Sequence, residues 1–237
     1  MNTPLHSIPI ALIATLSLAM TGCVAKVERQ AKPMFETKSL DACLLINVDL
    51  SQSFSHDFGQ RAFPLLMTVV TEFFEAQSGN DCKVVLAQTS ATSADQTVLF
   101  EGTPRQLRQR FDSPEALSEF LMSKSDPNRS PIYEAMGNVI AYANRMPDAG
   151  EDTKVLTVTI SDLIDSETDV EKRKAHGHVL VDELKTYQAA GHGLALYYVA
   201  LSETDKWTQI MDRCGFERGQ YVIANTLTDQ PPMPRFD

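Results

Sequence analysis

The chain has 237 residues and a formal net charge of −10, with 43% hydrophobic and 22% charged residues. That composition is globular and excludes disordered, collagenous and coiled-coil chains. The acidic balance excludes a nucleic-acid-binding surface, which needs a basic stripe, and four cysteines are too few for a disulfide scaffold at this length.

Residues 1–22 contain no Lys, Arg, Asp or Glu, and residues 8–20 are almost wholly apolar. This run is short for a bilayer span and has the length of a signal-peptide core. It ends in Met20-Thr21-Gly22-Cys23, which resembles a bacterial lipobox. The resemblance implies cleavage before Cys23 and acylation of that cysteine. A secretory signal with a chance cysteine is the other reading. Val24, where inner-membrane lipoproteins often carry Asp, leans towards the outer membrane. Residues 23–40 then form a polar, lipid-anchored tether, residues 41–225 the folded part, and residues 226–237 a tail with Pro231, Pro232 and Pro234.

Within the folded part, residues 43–48 are a short apolar run, the pattern of a buried strand. Phe58, Leu66, Val69, Val70, Phe73 and Phe74 recur at helical spacing over 57–77, and Ser78-Gly79-Asn80-Asp81 stops that helix. Residues 83–89 and 96–100 are strand-like and form a hairpin with a longer loop. Ser113-Pro114 and Ser130-Pro131 each open a helix as N-cap and first helical residue, the second running through Arg145. Residues 154–160 form a strand. Ser166-Glu-Thr-Asp169 has the form of a capping box for a helix to about Ala190. A strand over 193–201, a helix capped at Ser202 and ended by Gly215, and a strand over 221–224 complete the order β-α-β-β-α-α-β-α-β-α-β. The fold class is α/β, a Rossmann-like doubly wound sheet. It is mainly parallel with one antiparallel edge strand and has helices on both faces. A switch in winding direction puts a crevice at the carboxyl ends of the central strands.

Glycine-rich phosphate loops and a G-x-S-x-G elbow are both missing, which argues against nucleotide binding and serine hydrolysis. Instead the first strand runs into Asp49-Leu50-Ser51-Gln52-Ser53, a D-x-S-x-S pattern. Arg129-Ser130-Pro131-Ile132-Tyr133-Glu134-Ala135-Met136 and Ile160-Ser161-Asp162 follow in order, each at an element end. Together these segments resemble the von Willebrand factor type A (VWA) family over residues 41–225, with Ser130 where the family usually has Thr and no Gly after Asp162. The resemblance implies a metal-ion-dependent adhesion site made by Asp49, Ser51, Ser53, Ser130 and Asp162. Its all-oxygen set suits one Mg²⁺ or Mn²⁺, with a position open to an acidic residue of a partner protein. Read singly, Ser130 is also an N-cap and Asp162 a loop residue.

The expectation is therefore a binding protein and no enzyme, held to the membrane by its lipid and facing the periplasm from the outer membrane. A metal-assisted hydrolase and a VWA subunit with a vestigial site are the alternatives. Asp165, Glu167 and Asp169 are expected to serve a helix N-terminus, and His176 and His178 to be solvated helix residues. Trp207, Ile210, Met211 and Cys214 make a core stripe. Cys43 and Cys82 begin neighbouring strands, so in an oxidising compartment they form a disulfide or remain, with Cys214, as buried thiols.

Overall fold

The first strand, β1 (Leu40–Val48), is buried along almost its whole length because both of its faces are covered. The computed structural model describes residues 39–51, 58–91, 93–124, 126, 128–226 and 231–235. After β1, a π-helical turn (Phe58–Ala62) leads into α1 (Phe63–Ala76), followed by β2 (Cys82–Gln88) and β3 (Val98–Gly102). Helices α2 (Pro104–Arg110), α3 (Pro114–Lys124) and α4 (Ile132–Asn144) precede β4 (Ala149–Ile160). The chain closes with α5 (Val170–Ala189), β5 (Gly193–Tyr197), α6 (Leu201–Cys214) and β6 (Tyr221–Ala224).

The strands lie in the order β3-β2-β1-β4-β5-β6, and among them β3 alone runs antiparallel, at one edge. The fold is thus the doubly wound, mainly parallel α/β sheet that the alternation of elements predicts. Period-two alternation divides its side chains between two cores. Leu44, Ile46, Val84, Leu86 and Val158 pack with Leu66, Val69 and Phe73 of α1 and with Leu107, Leu117 and Leu121 of α2 and α3. Cys43, Leu45, Val85, Val155 and Leu196 pack on the other face with Met136 and Ile140 of α4, Leu180 and Tyr187 of α5, and Trp207 and Met211 of α6. Winding reverses between β1 and β4, so the switch point lies where those two strands end.

Several local signals act where the sequence places them. Ser113 Oγ accepts the Ala116 N–H at 3.2 Å, and Gly215 ends α6 in the left-handed region at φ 83°. Others shift. Helix α5 starts four residues after Ser166, and Asp169 caps it by accepting the N–H groups of Glu171 and Lys172. Helix α6 follows Ala200 without a side-chain cap, because β5 stops at Tyr197 and Tyr198 turns the chain at φ 67°. The short helix α2 escaped the reading because it is one turn too brief for periodicity. Its signal was the Thr103/Gln106 capping box with Pro104 inside it.

Of the two readings of Cys43 and Cys82, disulfide or buried thiols, the structure has the second: both residues and Cys214 are buried free thiols. The register explains it. Cys82 pairs with Ala42 and Cys43 with Lys83, so a one-residue offset sends Cys82 to one core and Cys43 to the other. Burial pushes the Cys43 thiol up to about 12, so it carries no thiolate at neutral pH. Treatment of native protein with a thiol reagent should leave all three unlabelled, and unfolding without reductant should expose all three. A persistent Cys43–Cys82 bond would leave only Cys214 to react.

Within the Pro-containing C-terminal segment, the described residues 231–235 lie against the sheet. Tyr197 Oη donates to Pro232 O at 2.7 Å, Met233 packs against the first core, and the Arg235 N–H donates to Gly219 O at 2.6 Å. Gly219 sits at φ 89°, where a Cβ would lie 2.9 Å from Arg235 Nε. The segment lies against the same core face as Ala195, Tyr197, Val222 and Ala224, and apolar burial holds it there.

His192 packs edge-on against Tyr187 at 4.9 Å between ring centroids. Burial lowers its pKa from 6.5 to about 4. The unfolded chain therefore binds a proton below about pH 6.5 that the folded chain refuses until about pH 4. Stability from this group is fully present above pH 6.5 and is lost as pH falls through that window. His192→Gln should flatten the pH dependence of the urea midpoint between pH 6.5 and 4.

Candidate functional site

Asp49 follows β1 and is completely buried. The sheet ladder runs on past the strand ends to fix it. The Asp49 N–H donates to Ile160 O at 2.9 Å, the Thr89 N–H to Val48 O at 3.2 Å, and the Ser161 N–H to Tyr197 O at 3.1 Å. Three neighbouring strands thus deliver the residues after them to one place.

There the Asp49 carboxylate gathers four donors. Oδ1 accepts the Ser51 N–H at 2.9 Å and the Thr89 hydroxyl at 3.2 Å. Oδ2 accepts the Ser130 hydroxyl at 2.9 Å and the Ser161 hydroxyl at 2.7 Å. The three hydroxyl partners lie 40, 81 and 112 residues away in sequence. Among the described residues every partner of Asp49 is neutral. A fully buried carboxylate without a countercharge is costly, and its hydrogen bonds offset only part of that cost.

The Ser130-Pro131 pair does not cap α4 with the serine. Pro131 is the residue before the helix, and its side chain has no hydrogen-bonding group to offer. Asp165 takes the capping role from another segment, its Oδ2 accepting the Tyr133 N–H at 3.0 Å. Ser130 is released from local duty and turned inward by two bonds with Ser166. The Ser130 N–H donates to Ser166 Oγ at 2.8 Å, and the Ser166 N–H donates to Ser130 O at 2.9 Å.

The loop after β4 is shaped by its own side chains. Ser161 Oγ accepts the Leu163 N–H at 2.9 Å and Asp162 Oδ1 accepts the Ile164 N–H at 3.0 Å. Leu163 takes φ 60°, a costly conformation for a branched residue. Of the five residues in the adhesion-site pattern, Asp49, Ser51 and Ser130 meet directly. Asp162 stands beside them, half-buried, one residue from Ser161, and Ser53 lies outside the described residues, as does Cys23. The sequence reading missed Thr89 and Ser161. Each is a hydroxyl residue just past a central strand, and that position was the available signal. Of the three acidic residues assigned to a helix N-terminus, Asp169 serves α5 and Asp165 serves α4.

Among the described residues no group of three or more His, Cys, Asp or Glu side chains is arranged to hold a metal. What converges here is carboxylate and hydroxyl oxygen. A hydroxyl that donates its hydrogen to Asp49 keeps its lone pairs, which is the state an oxygen ligand needs. Among the described residues no helix is long and apolar enough to cross a membrane.

No family model matches the sequence, and no curated protein matches it. Among solved structures the fold is similar to that of the pilus adhesin SpaC from Lactobacillus rhamnosus GG in its open conformation, with a TM-score of 0.52 at 14% identity. The similarity covers 78% of this chain and 28% of the adhesin chain. The chain therefore spans under a third of that protein, and at this identity the likeness is one of fold.

Proposed function

We propose that this chain is a VWA-like binding module of the bacterial cell envelope, anchored by lipid at Cys23 and facing the periplasm from the outer membrane. It holds a partner protein through a metal-ion-dependent site and performs no catalysis. The observation that carries this reading is the buried Asp49 carboxylate, which collects hydroxyls from three distant segments at the reversal of winding without any cationic partner among the described residues. Asp49, Ser51, Ser53, Ser130 and Asp162 would hold one Mg²⁺ or Mn²⁺, with Thr89 and Ser161 fixing the Asp49 carboxylate. The chemistry such an ion supplies is positive charge for a partner's carboxylate at a site of hard oxygen ligands. The residues themselves set the direction of the hydroxyl lone pairs and hold the carboxylate in place by hydrogen bonding.

Two experiments test the reading. Capture from envelope extracts with the wild-type protein in Mg²⁺ should recover a partner that EDTA and Asp49→Ala both release. Capture that survives EDTA unchanged would remove the metal from the interaction. The variant Cys23→Ser should move from the membrane fraction to the soluble one and lack the acyl mass, since apolar burial of the chains supplies the attachment. If the Cys23→Ser protein stays with membranes, the lipid anchor is refuted.

A further inference from the structure

The rim of this site carries apolar side chains that the fold leaves outside. Ile164 is 51% exposed and Leu201 83%. Both are tied to Asp162. The Ile164 N–H donates to the Asp162 carboxylate at 3.0 Å, and the Ala200 N–H, next to Leu201, donates to Asp162 O at 3.0 Å. The left-handed turn at Leu163 buries that leucine completely and leaves Ile164 outward. Leu201 opens α6, where a polar first turn would be the ordinary choice, after a residue with no side-chain cap. Two large apolar groups therefore flank Asp162 at the strand ends.

Charge narrows what can cover them. From Asp162 to Glu171 the chain carries five carboxylates, at 162, 165, 167, 169 and 171, ahead of the basic run Lys172, Arg173 and Lys174. A bare acidic surface on a partner would be repelled here. An acidic group that reaches the site needs apolar contact and positive charge around it. Resting on the metal-site reading above, we infer that the rim binds a partner loop with one acidic residue set between apolar residues and flanked by basic ones. Ile164 and Leu201 cover the apolar pair, and the 162–171 carboxylates face the basic residues.

Three synthetic heptapeptides, titrated into the full-length protein in Mg²⁺, decide this. The first has a central aspartate between leucines with lysines outside. The second replaces the leucines by serines, and the third replaces the lysines by glutamates. The first should bind roughly tenfold tighter than the second, the scale set by burying about one methylene group at each leucine. It should also bind tighter than the third, by a margin that shrinks in high salt. In the double variant Ile164→Ser, Leu201→Ser the first and second peptides should bind alike, with Mg²⁺ titration and unfolding midpoint unchanged. Equal affinity of the first and second peptides for wild type, an advantage that persists in the double variant, or no binding of any peptide would overturn the inference. If EDTA leaves the leucine preference intact, the rim surface stands and the metal reading falls. If EDTA abolishes binding of peptides that never differed, the metal reading stands and the rim inference falls.

Discussion

Asp49→Ala is expected to weaken Mg²⁺ and Mn²⁺ binding by about 100-fold or more, since loss of a partner that only orients ligands already costs 10–100-fold in metal sites. The same substitution should lower stability in metal-free buffer. It removes the acceptor of four hydrogen bonds and strands the Thr89, Ser130 and Ser161 hydroxyls and the Ser51 N–H in a buried pocket. Buried polar groups left without partners cost about 1–3 kcal/mol each. Relief of an uncompensated buried charge acts in the opposite direction, so the net loss should be about 2 kcal/mol. Asp49→Asn separates the two effects. It keeps the volume and an acceptor oxygen and removes the charge, so it should bind metal as poorly as Ala while losing less stability. Calorimetric titration with each metal and urea unfolding in EDTA give both numbers. Equal heats in wild type and Asp49→Ala, or none in either at millimolar metal, would leave a vestigial site whose carboxylate only staples the loops.

Tyr187→Phe should be the costliest single-atom deletion in the second core. The Tyr187 hydroxyl is fully buried and lies where β5 begins beside the longer β4. It accepts the Thr157 N–H at 3.0 Å, lies 2.9 Å from Thr157 Oγ1, and donates to Gly193 O at 2.7 Å. In effect it bridges Thr157 of β4 to Gly193, the first residue of β5, where the pairing of the two strands begins. Burial holds its pKa far above the usual tyrosine range, so it stays a donor at every working pH. Phenylalanine fills the same space but leaves a backbone N–H and a carbonyl unpaired inside the protein, at about 2–3 kcal/mol in total. For a domain of this size that corresponds to a fall of roughly 5–10 °C in Tm. A change below about 0.5 kcal/mol in the urea-derived stability would mean that water reaches the vacated site.

The contrast between Ser113 and Ser130 shows where local information ends. Both precede proline and both predict an N-cap. Ser113 caps its helix, and among the described residues no distant group takes its hydroxyl. Ser130 gives its hydroxyl to Asp49, 81 residues earlier, because Asp165 caps α4 instead. Capping signals report what a residue can do within one turn of chain. They carry no information about an acceptor that another strand brings in.

The alternation of apolar runs and helical stripes by itself determined the α/β class, the parallel sheet with its antiparallel edge, and the placement of Asp49, Ser130 and Asp162 at one end of it. These follow from periodicity and from the right-handed connection of parallel strands, which depend on few residues at a time. Strand register and loop geometry were decided only in the tertiary structure. A single-residue offset between β1 and β2 put Cys43 and Cys82 on opposite faces, and left-handed turns at Leu163 and Tyr198 set the loops beside the site. Thr89 and Ser161 became partners of Asp49 in the same way. Register is chosen by the fit of two whole faces into two cores, and a buried carboxylate takes whichever hydroxyls the packed strands bring within about 3 Å. Both are properties of the assembled sheet rather than of any segment in it.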